Sequence, residues 1–536
     1  MTTTTAPPEP VSAAPVGREG FGTLLHAEWT KLRTVPGWVA GLVVAGLVTV
    51  LLGLLGAAGG GANCGGGPAD DVDQVTAEGS GTPCGPGDPP LGPHGEAVSD
   101  RFTFVRQPMT GDGSITVRVT SLAGREPADL GTEPWAKAGV MVKQGTSQGS
   151  TYAAVMATGA HGVRMQHDYV NDVAGPAGAV SETSPRWLRL VRTGDTLTGY
   201  ASTDGARWTE VGTARLEGLD DTAEVGLFVA SPDHEETTLG FASTSMVGLS
   251  TLATATFDGV TLGGGWSGDA WRGTDVGPDQ PAAAAPPGSA PERVENVERS
   301  GDRFTVTGGG DVAPKVGGGP ESGVEQSLVG VFAGLVAAII VGVLFITSEY
   351  RRGLVRTTFT ATPRRGRVLL AKATVLGVTT FAIGLVASGL AVWLVGALRR
   401  SDGGVILPAP ALTEARVVVG TAALLALAAV LAVAIGAVLR RGGGAVALVT
   451  GLVVLPYLLA VASAVPLDAA RWLLRVTPAA GFAVQQSVPE YAHVLGNYTP
   501  PGGYYPLPWW AGFGVLVLWT AAALALAVVL VRRRDA

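Results

Sequence analysis

Charge and aromatic side chains are scarce in these 536 residues. Asp, Glu, Lys and Arg make up 15% of the chain and Phe, Trp and Tyr 6%. There are two cysteines and six histidines, and none of them falls at zinc-ligand spacing, so no structural metal is expected. No run of Lys and Arg is interleaved with aromatic residues and the net charge is −7, which argues against a nucleic-acid partner. A Gly-rich loop ending in Gly-Lys-Ser/Thr is missing, so the chain is not expected to hold or hydrolyse ATP itself. Asp168, Asp172 and Glu182 share one neighbourhood, but nothing sets them apart as the carboxylate pair a glycosidase needs. His161 and His167 have no partners at ligand spacing. No catalytic residue and no cofactor in this chain is expected.

What is abundant is apolar. Hydrophobic residues form 46% of the chain and concentrate at its two ends, leaving a polar, Gly-rich middle, which suggests more than one structural unit. Six stretches approach the ~20 residues needed to cross a hydrocarbon core: 38–58, 328–347, 368–398, 417–439, 445–465 and 509–531. A cationic residue at a span centre costs roughly 2.5–3.5 kcal/mol, and no span has Arg or Lys near its middle. The spans are read as free of Asp, Glu, Lys and His, which speaks against a proton relay. The expected fold class is therefore an α-helical polytopic membrane protein of six transmembrane helices with an inserted domain.

Orientation follows from the basic residues. Lys31 and Arg33 precede the first span; Arg351, Arg352, Arg356, Arg364, Arg365 and Arg367 separate the second from the third; Arg440 and Arg441 separate the fourth from the fifth; Arg532, Arg533 and Arg534 follow the last. Six crossings put all these clusters on one face, read as cytoplasmic. Arg399, Arg400, Arg416, Arg471 and Arg475 fall opposite, but the balance places both termini in the cytoplasm and residues 59–325 outside a plasma membrane. Ahead of the first span, Phe21, Leu25, Trp29 and Leu32 recur at helical spacing, with Glu28 and Lys31 on another face. This predicts an amphipathic helix over 21–37 lying on membrane lipid, the alternative being a plain helical lead-in; residues 1–20 are expected to be a disordered tail. A re-entrant or membrane-surface helix is expected around 469–476.

Residues 59–93 are rich in Gly, Pro and Asp and lack periodicity, the mark of a linker. It holds both cysteines. A Cys64–Cys84 disulfide is permitted outside the cell and would contribute roughly 3 kcal/mol; the alternative is two unpaired thiols. Ala62-Asn63 before Cys64 is a poor lipidation box.

Beyond the linker the pattern turns to period-two alternation. Ile115, Val117 and Val119, then Val163, Met165 and His167, then Val225, Leu227 and Val229 alternate with other residues, as half-buried antiparallel strands do. Thr110-Gly111-Asp112-Gly113, Gly194-Asp195 and Asp204-Gly205 read as turns, the last as a two-residue hairpin. A sandwich or jelly roll over 94–319 is predicted, with an Ala/Pro-rich tether at 278–292. The runs 133–142, 186–192, 202–208, 225–229 and 257–260 resemble the concanavalin/laminin-G-like jelly-roll modules of bacterial surface proteins. The 304–308 run looks like an opening strand of such a module, yet it comes last, so the strand order is expected to be permuted. The resemblance implies a possible extracellular glycan or protein ligand; Trp135, Trp187 and Trp208 could stack on a sugar, although packing is the commoner role of such residues.

Between the second and third spans stand Glu349-Tyr350-Arg351-Arg352-Gly353, Arg356-Thr357-Thr358 and the run 362–372, Thr-Pro-Arg-Arg-Gly-Arg-Val-Leu-Leu-Ala-Lys. With the Glu-Trp-Thr-Lys-Leu-Arg run at 28–33 and the six-span layout, this resembles type-2 ABC exporter permeases over 21–58 and 324–536. The resemblance implies a coupling segment, Glu349, Tyr350, Arg351, Arg352, Gly353, Arg356 and Thr357, supported by Glu28, Trp29, Lys31 and Arg33 of the interfacial helix. It also implies a separate ABC ATPase subunit carrying ATP and Mg, and a second permease copy or paralogue. The rival reading is a membrane-anchored glycan-binding adhesin or sensor.

Overall fold

In the computed structural model the described residues are 20–59, 89–127, 129–240, 243–277, 296–316, 323–351, 365–401 and 406–533. Cys64, Cys84, the whole 278–292 tether and residues 352–364 lie outside them.

Apolar composition gives eight α-helices among the described residues: α1 (Phe21–Thr34), α2 (Pro36–Gly59), α3 (Val331–Arg351), α4 (Arg365–Ser401), α5 (Ala411–Leu439), α6 (Gly442–Val461), α7 (Leu467–Val476) and α8 (Trp509–Arg533). Six of them, α2 to α6 and α8, are long and apolar enough to cross a membrane. Their bounds follow the predicted spans within a few residues. The fourth departs most, beginning at Ala411 instead of 417; the fifth stops at Val461 instead of 465, because Ser463 turns to φ 49° and Pro466 caps the next helix. Helices α2 and α3 pack closely through glycine: a Cβ on Gly334 would stand 2.2 Å from Thr49 Oγ1, and one on Gly330 2.1 Å from the Thr49 carbonyl oxygen.

The middle of the chain forms two seven-stranded antiparallel sheets. One runs β10 (Thr209–Arg215), β9 (Thr196–Ser202), β8 (Arg186–Thr193), β3 (Gly113–Glu126), β14 (Leu252–Gly264), β17 (Arg303–Gly309), β16 (Val297–Ser300). The other runs β15 (Arg272–Val276), β2 (Phe102–Thr110), β11 (Thr222–Ala230), β4 (Lys137–Lys143), β5 (Tyr152–Thr158), β6 (Val163–His167), β7 (Asn171–Ala174). Ile115, Val117, Leu188 and Leu190 of the first sheet share one core with Val140, Val155, Val225 and Leu227 of the second, so the two form a sandwich. The late strand β17 sits inside the first sheet, paired with β14 and β16. The connection at Asp204-Gly205 is a correction: β9 and β10 are joined by six residues, 203–208. The Asp204 carboxylate accepts the amides of Ala206 (2.9 Å) and Arg207 (2.8 Å), which widens the turn. The two-residue hairpin is Gly194-Asp195, between β8 and β9.

Strands β4 and β5 are buried on both faces, which an exposed jelly-roll sheet would not allow. The outer face of their sheet carries Phe102, Phe104, Met141, Tyr152, Met156, Tyr169 and Phe228, closed over by Val98 of β1 (Val98–Asp100) and Val312 of β18 (Val312–Pro314). The turn between β6 and β7 places Asp168 at φ 46° and Tyr169 at φ 61°, a strained pair of non-glycine residues. It sets the Tyr169 hydroxyl 2.7 Å from Asp100 Oδ2 and 3.0 Å from the fully buried Lys143. It also turns the Tyr169 carbonyl toward the segment between α7 and α8, where His493 Nε2 lies 2.9 Å away. That segment joins the sandwich to the helices: His493 lies edge-on to Trp135, and Ser487 donates to Glu325 just before α3.

Burial pushes the His493 imidazole down, so the neutral ring donates its Nε2 proton to Tyr169. A depressed histidine stabilises the fold above its unfolded value near 6.5 and loses that contribution as pH falls through the folded value. Apparent thermal stability of the detergent-purified chain should therefore drop on acidification below about pH 6.5, and His493→Gln should flatten that part of the profile. A profile unchanged by the substitution would count against this docking contact.

Candidate functional site

The helical layer has two unlike ends. One faces the sandwich. At the other, the basic clusters of the sequence meet: Lys31 reaches Glu349, the Arg440 guanidinium lies 5.2 Å from the Tyr350 ring centroid, and Gly366 adjoins Arg532.

At this second end four charges close a ring. Lys372 Nζ donates to Glu28 Oε2 at 2.7 Å and to Glu349 Oε1 at 2.9 Å. Lys31 Nζ donates to Glu28 Oε1 at 2.7 Å and lies 3.5 Å from Glu349 Oε1. Two ammoniums thus alternate with two carboxylates. Local sequence sets each member. Glu28 and Lys31 are three apart on α1 and so share a face, Glu349 occupies the last turn of α3, and Lys372 lies on the second turn of α4. Glu28, Glu349 and Lys372 are buried. Phe345 supplies a ring 4.2 Å from the Lys372 ammonium and packs edge-on against Trp38 at the start of α2.

Burial would raise the Glu28 carboxyl, but Lys372 and Lys31 beside it outweigh that and hold it below the usual carboxylate value. Burial would lower the Lys31 ammonium, but the carboxylates of Glu28 and Glu349 together outweigh that and hold it above its usual value. The arrangement is electrostatically closed. Two ammoniums balance two carboxylates, and what the arrangement can do is fix α1, α3 and α4 to one another.

The predicted coupling residues fare unequally. Glu349 belongs to the ring, Tyr350 lies under Arg440, and Arg351 is exposed at the end of α3. Arg352, Gly353, Arg356 and Thr357 lie outside the described residues. On α1, Glu28 and Leu32 are buried, Lys31 is half-buried, and Trp29, Arg33 and Phe21 are exposed. The residue the sequence reading missed is Lys372. The 368–398 stretch, expected to be free of lysine, holds Lys372 as its fifth residue. Its position near a span end, where a long side chain can reach a polar layer, hid its role; the signal available was a lone lysine facing two glutamates of neighbouring segments.

The three tryptophans considered for sugar stacking are engaged within the chain. Trp135 stacks on His161 at 4.0 Å, Trp208 lies 4.0 Å from the Arg189 guanidinium, and Trp187 lies against Gly205 and Gly259, where a Cβ would come within 3.0 Å of its ring. Among the described residues no group of three His, Cys, Asp or Glu could hold a metal ion.

No protein-family model and no curated protein matches the chain. Among solved structures, a functionally unknown protein from Saccharomyces cerevisiae is similar over 29% of this chain and 71% of its own, at 16% identity and a TM-score of 0.20. Scytalido-glutamic peptidase is similar over 39% of this chain and 98% of its own, at 11% identity and a TM-score of 0.26. The Bacillus licheniformis GH43 protein BlXynB is similar over 22% and 24%, at 16% identity and a TM-score of 0.16. Likenesses this weak carry no argument about function.

Replacing Lys372 by Met should lower stability by about 3–5 kcal/mol, because it leaves buried carboxylates undercompensated. Adding Glu349→Gln should recover part of that loss, a coupling readable in a double-mutant cycle of thermal unfolding. Because Glu28 is held below its ordinary value of 4.5, the ring's contribution is present above that pH and fades as acid protonates the carboxylate.

Proposed function

We propose that the chain is the membrane-embedded permease subunit of a type-2 ABC exporter. A separate ATPase subunit hydrolyses ATP with Mg, a second permease copy or paralogue completes the transporter, and the sandwich stands outside the plasma membrane to meet a ligand or partner. The charge ring is the observation that supports this most. It ties α1, the end of α3 and the start of α4 together, the two helix ends that flank residues 352–364 in the sequence. A push on that loop from a soluble partner would then move three helices as one body instead of being absorbed locally. The basic residues gathered at this end favour the cytoplasmic side for it, with both termini there.

Reading the chain this way, the ring transmits and catalyses nothing. A gating cycle would run from movement of the loop, through α3 and α4, to the outer ends of the helices beneath the sandwich. The six apolar helices suit an apolar or amphiphilic cargo, or force passed to the outer domain.

Co-expression with its ABC ATPase subunit should yield a complex that survives detergent purification. Arg352→Glu should abolish co-purification while leaving the permease monodisperse. Lys372→Met together with Glu28→Gln should retain the complex but cut cargo-stimulated ATP hydrolysis about tenfold or more, the rate equivalent of one lost charge-assisted contact. A reporter at Arg364 found outside the cell, or one in the sandwich found inside, would sink the assignment.

A further inference from the structure

Lysine is among the residues least often buried, because its ammonium must give up water. The sandwich buries two of them completely, Lys137 and Lys143, at the two ends of β4. Both lie on the outer face of the second sheet, and each meets an aspartate at the β1–β18 ribbon. Lys143 Nζ is 2.8 Å from Asp100 Oδ2, and Lys137 Nζ is 2.5 Å from Asp311 Oδ1. That ribbon is the neck of the domain in chain order, since β1 is the first strand after α2 and β18 the last before α3.

The two pairs differ in their surroundings. Asp100 and Lys143 are both sealed from solvent, with the Lys143 ammonium between the rings of Tyr152 and Tyr169, at 5.7 and 5.5 Å from their centroids. Asp100 Oδ2 collects three donors: Lys143, the Tyr169 hydroxyl at 2.7 Å and the Gly149 amide at 2.9 Å. Its Oδ1 is buried with none. Lys143 also donates to the Tyr169 hydroxyl oxygen at 3.0 Å, so the phenol accepts from the ammonium and donates to the carboxylate. Burial pushes the Lys143 ammonium down by more than Asp100 raises it, toward the amine form that is a nucleophile. Burial pushes the Tyr169 hydroxyl up, so it keeps its proton. Asp311, by contrast, is partly exposed, and the oxygen that meets Lys137 also accepts the Val312 amide.

We infer that Lys143 and Asp100 condense to an amide, an isopeptide cross-link between β4 and β1. A nitrogen 2.8 Å from a carboxylate oxygen is at contact with the carbon that bears it, and the fold has already met the entropy of bringing the two together. One ammonium proton passes through the Tyr169 hydroxyl to Oδ2, leaving an amine and a carboxylic acid. The amine lone pair forms the Nζ–Cγ bond. A second proton follows the same path from nitrogen to Oδ2, the Cγ–Oδ2 bond breaks with its electron pair, and Oδ2 departs as water. Oδ1 becomes the amide carbonyl, and the third proton stays on nitrogen. An ion pair thus becomes a neutral amide and water, with no oxidant or cofactor, and the cost of holding two charges in an apolar core is removed. The bond keeps β1 on the sheet however the helices move. It rests on the sandwich alone and holds whether or not the chain is an exporter subunit.

The purified full-length chain is denatured, reduced and digested with trypsin and chymotrypsin, and the peptides are sequenced by mass spectrometry. The expected species joins a peptide ending at Arg101 to one spanning Lys143, uncleaved after that lysine and lighter than the two together by one water. Lys137 should be cleaved normally in the same digest. Lys143→Arg keeps the positive charge but has no nucleophilic amine, and should abolish the species. Tyr169→Phe leaves the pair in place and should lower the cross-linked fraction about tenfold or more, as loss of a proton-transfer group does. Cleavage after Lys143 in the unsubstituted chain, with Asp100 recovered as a free acid, means an ion pair only and overturns the inference even if the Lys143→Arg chain folds poorly. Undiminished cross-linking in Tyr169→Phe would overturn the path through the phenol.

Discussion

The ring of Glu28, Lys31, Glu349 and Lys372 is the constraint on which the helical layer depends. An ammonium as buried as that of Lys372 costs several kcal/mol to desolvate, and only carboxylates in direct contact offset it. Glu28 and Glu349 do so from two different segments, at 2.7 and 2.9 Å. Neither carboxylate could be buried without the ammoniums, nor the ammoniums without them. The ring need not make the protein more stable than a well-packed apolar junction would. It makes the junction specific, because only one mutual placement of α1, α3 and α4 satisfies all four charges.

A comparable logic runs at the other end of the molecule with weaker forces. The second sheet has apolar residues on both faces, so it needs cover on each. The first sheet covers one face. The other is covered by β1, β18 and, at the β6–β7 turn, by the segment between α7 and α8 that carries His493. The strained backbone at Asp168 and Tyr169 is held there by the buried bonds of the Tyr169 hydroxyl to Asp100 and of Asp168 to the Tyr152 amide. The sandwich and the helices are thereby joined through a neutral hydrogen bond and ring contacts.

Much of this was legible in the sequence because it rests on period and length. Six apolar stretches of near-spanning length gave six helices, and alternation at Ile115, Val117 and Val119 or at Val225, Leu227 and Val229 gave core strands. What escaped depends on contacts distant in sequence. Lys372 and Glu28 are 344 residues apart, and nothing local shows that one needs the other. The turn at Asp204 was misjudged because Asp-Gly signals a tight hairpin, whereas here the carboxylate caps two amides beyond it. Burial of β4 and β5 on both faces was out of reach for the same reason, since their covering segments come from elsewhere in the chain.

The two ends of the helical layer handle charge differently. In the ring every charge is answered from within the chain, so nothing diffusible is needed to complete it, and any outside influence must act by moving its helices. At the cleft where the sandwich meets the helices, the Glu96 side chain is half-buried and its carboxylate is folded back over Gly92. Helix α5 touches both regions, through Arg440 beside Tyr350 at one end and Arg416 beside Trp509 at the other. Displacement at the ring can reach the cleft along that helix without any relay of protons or bound groups through the apolar layer between, because a helix moved at one end carries its other end with it.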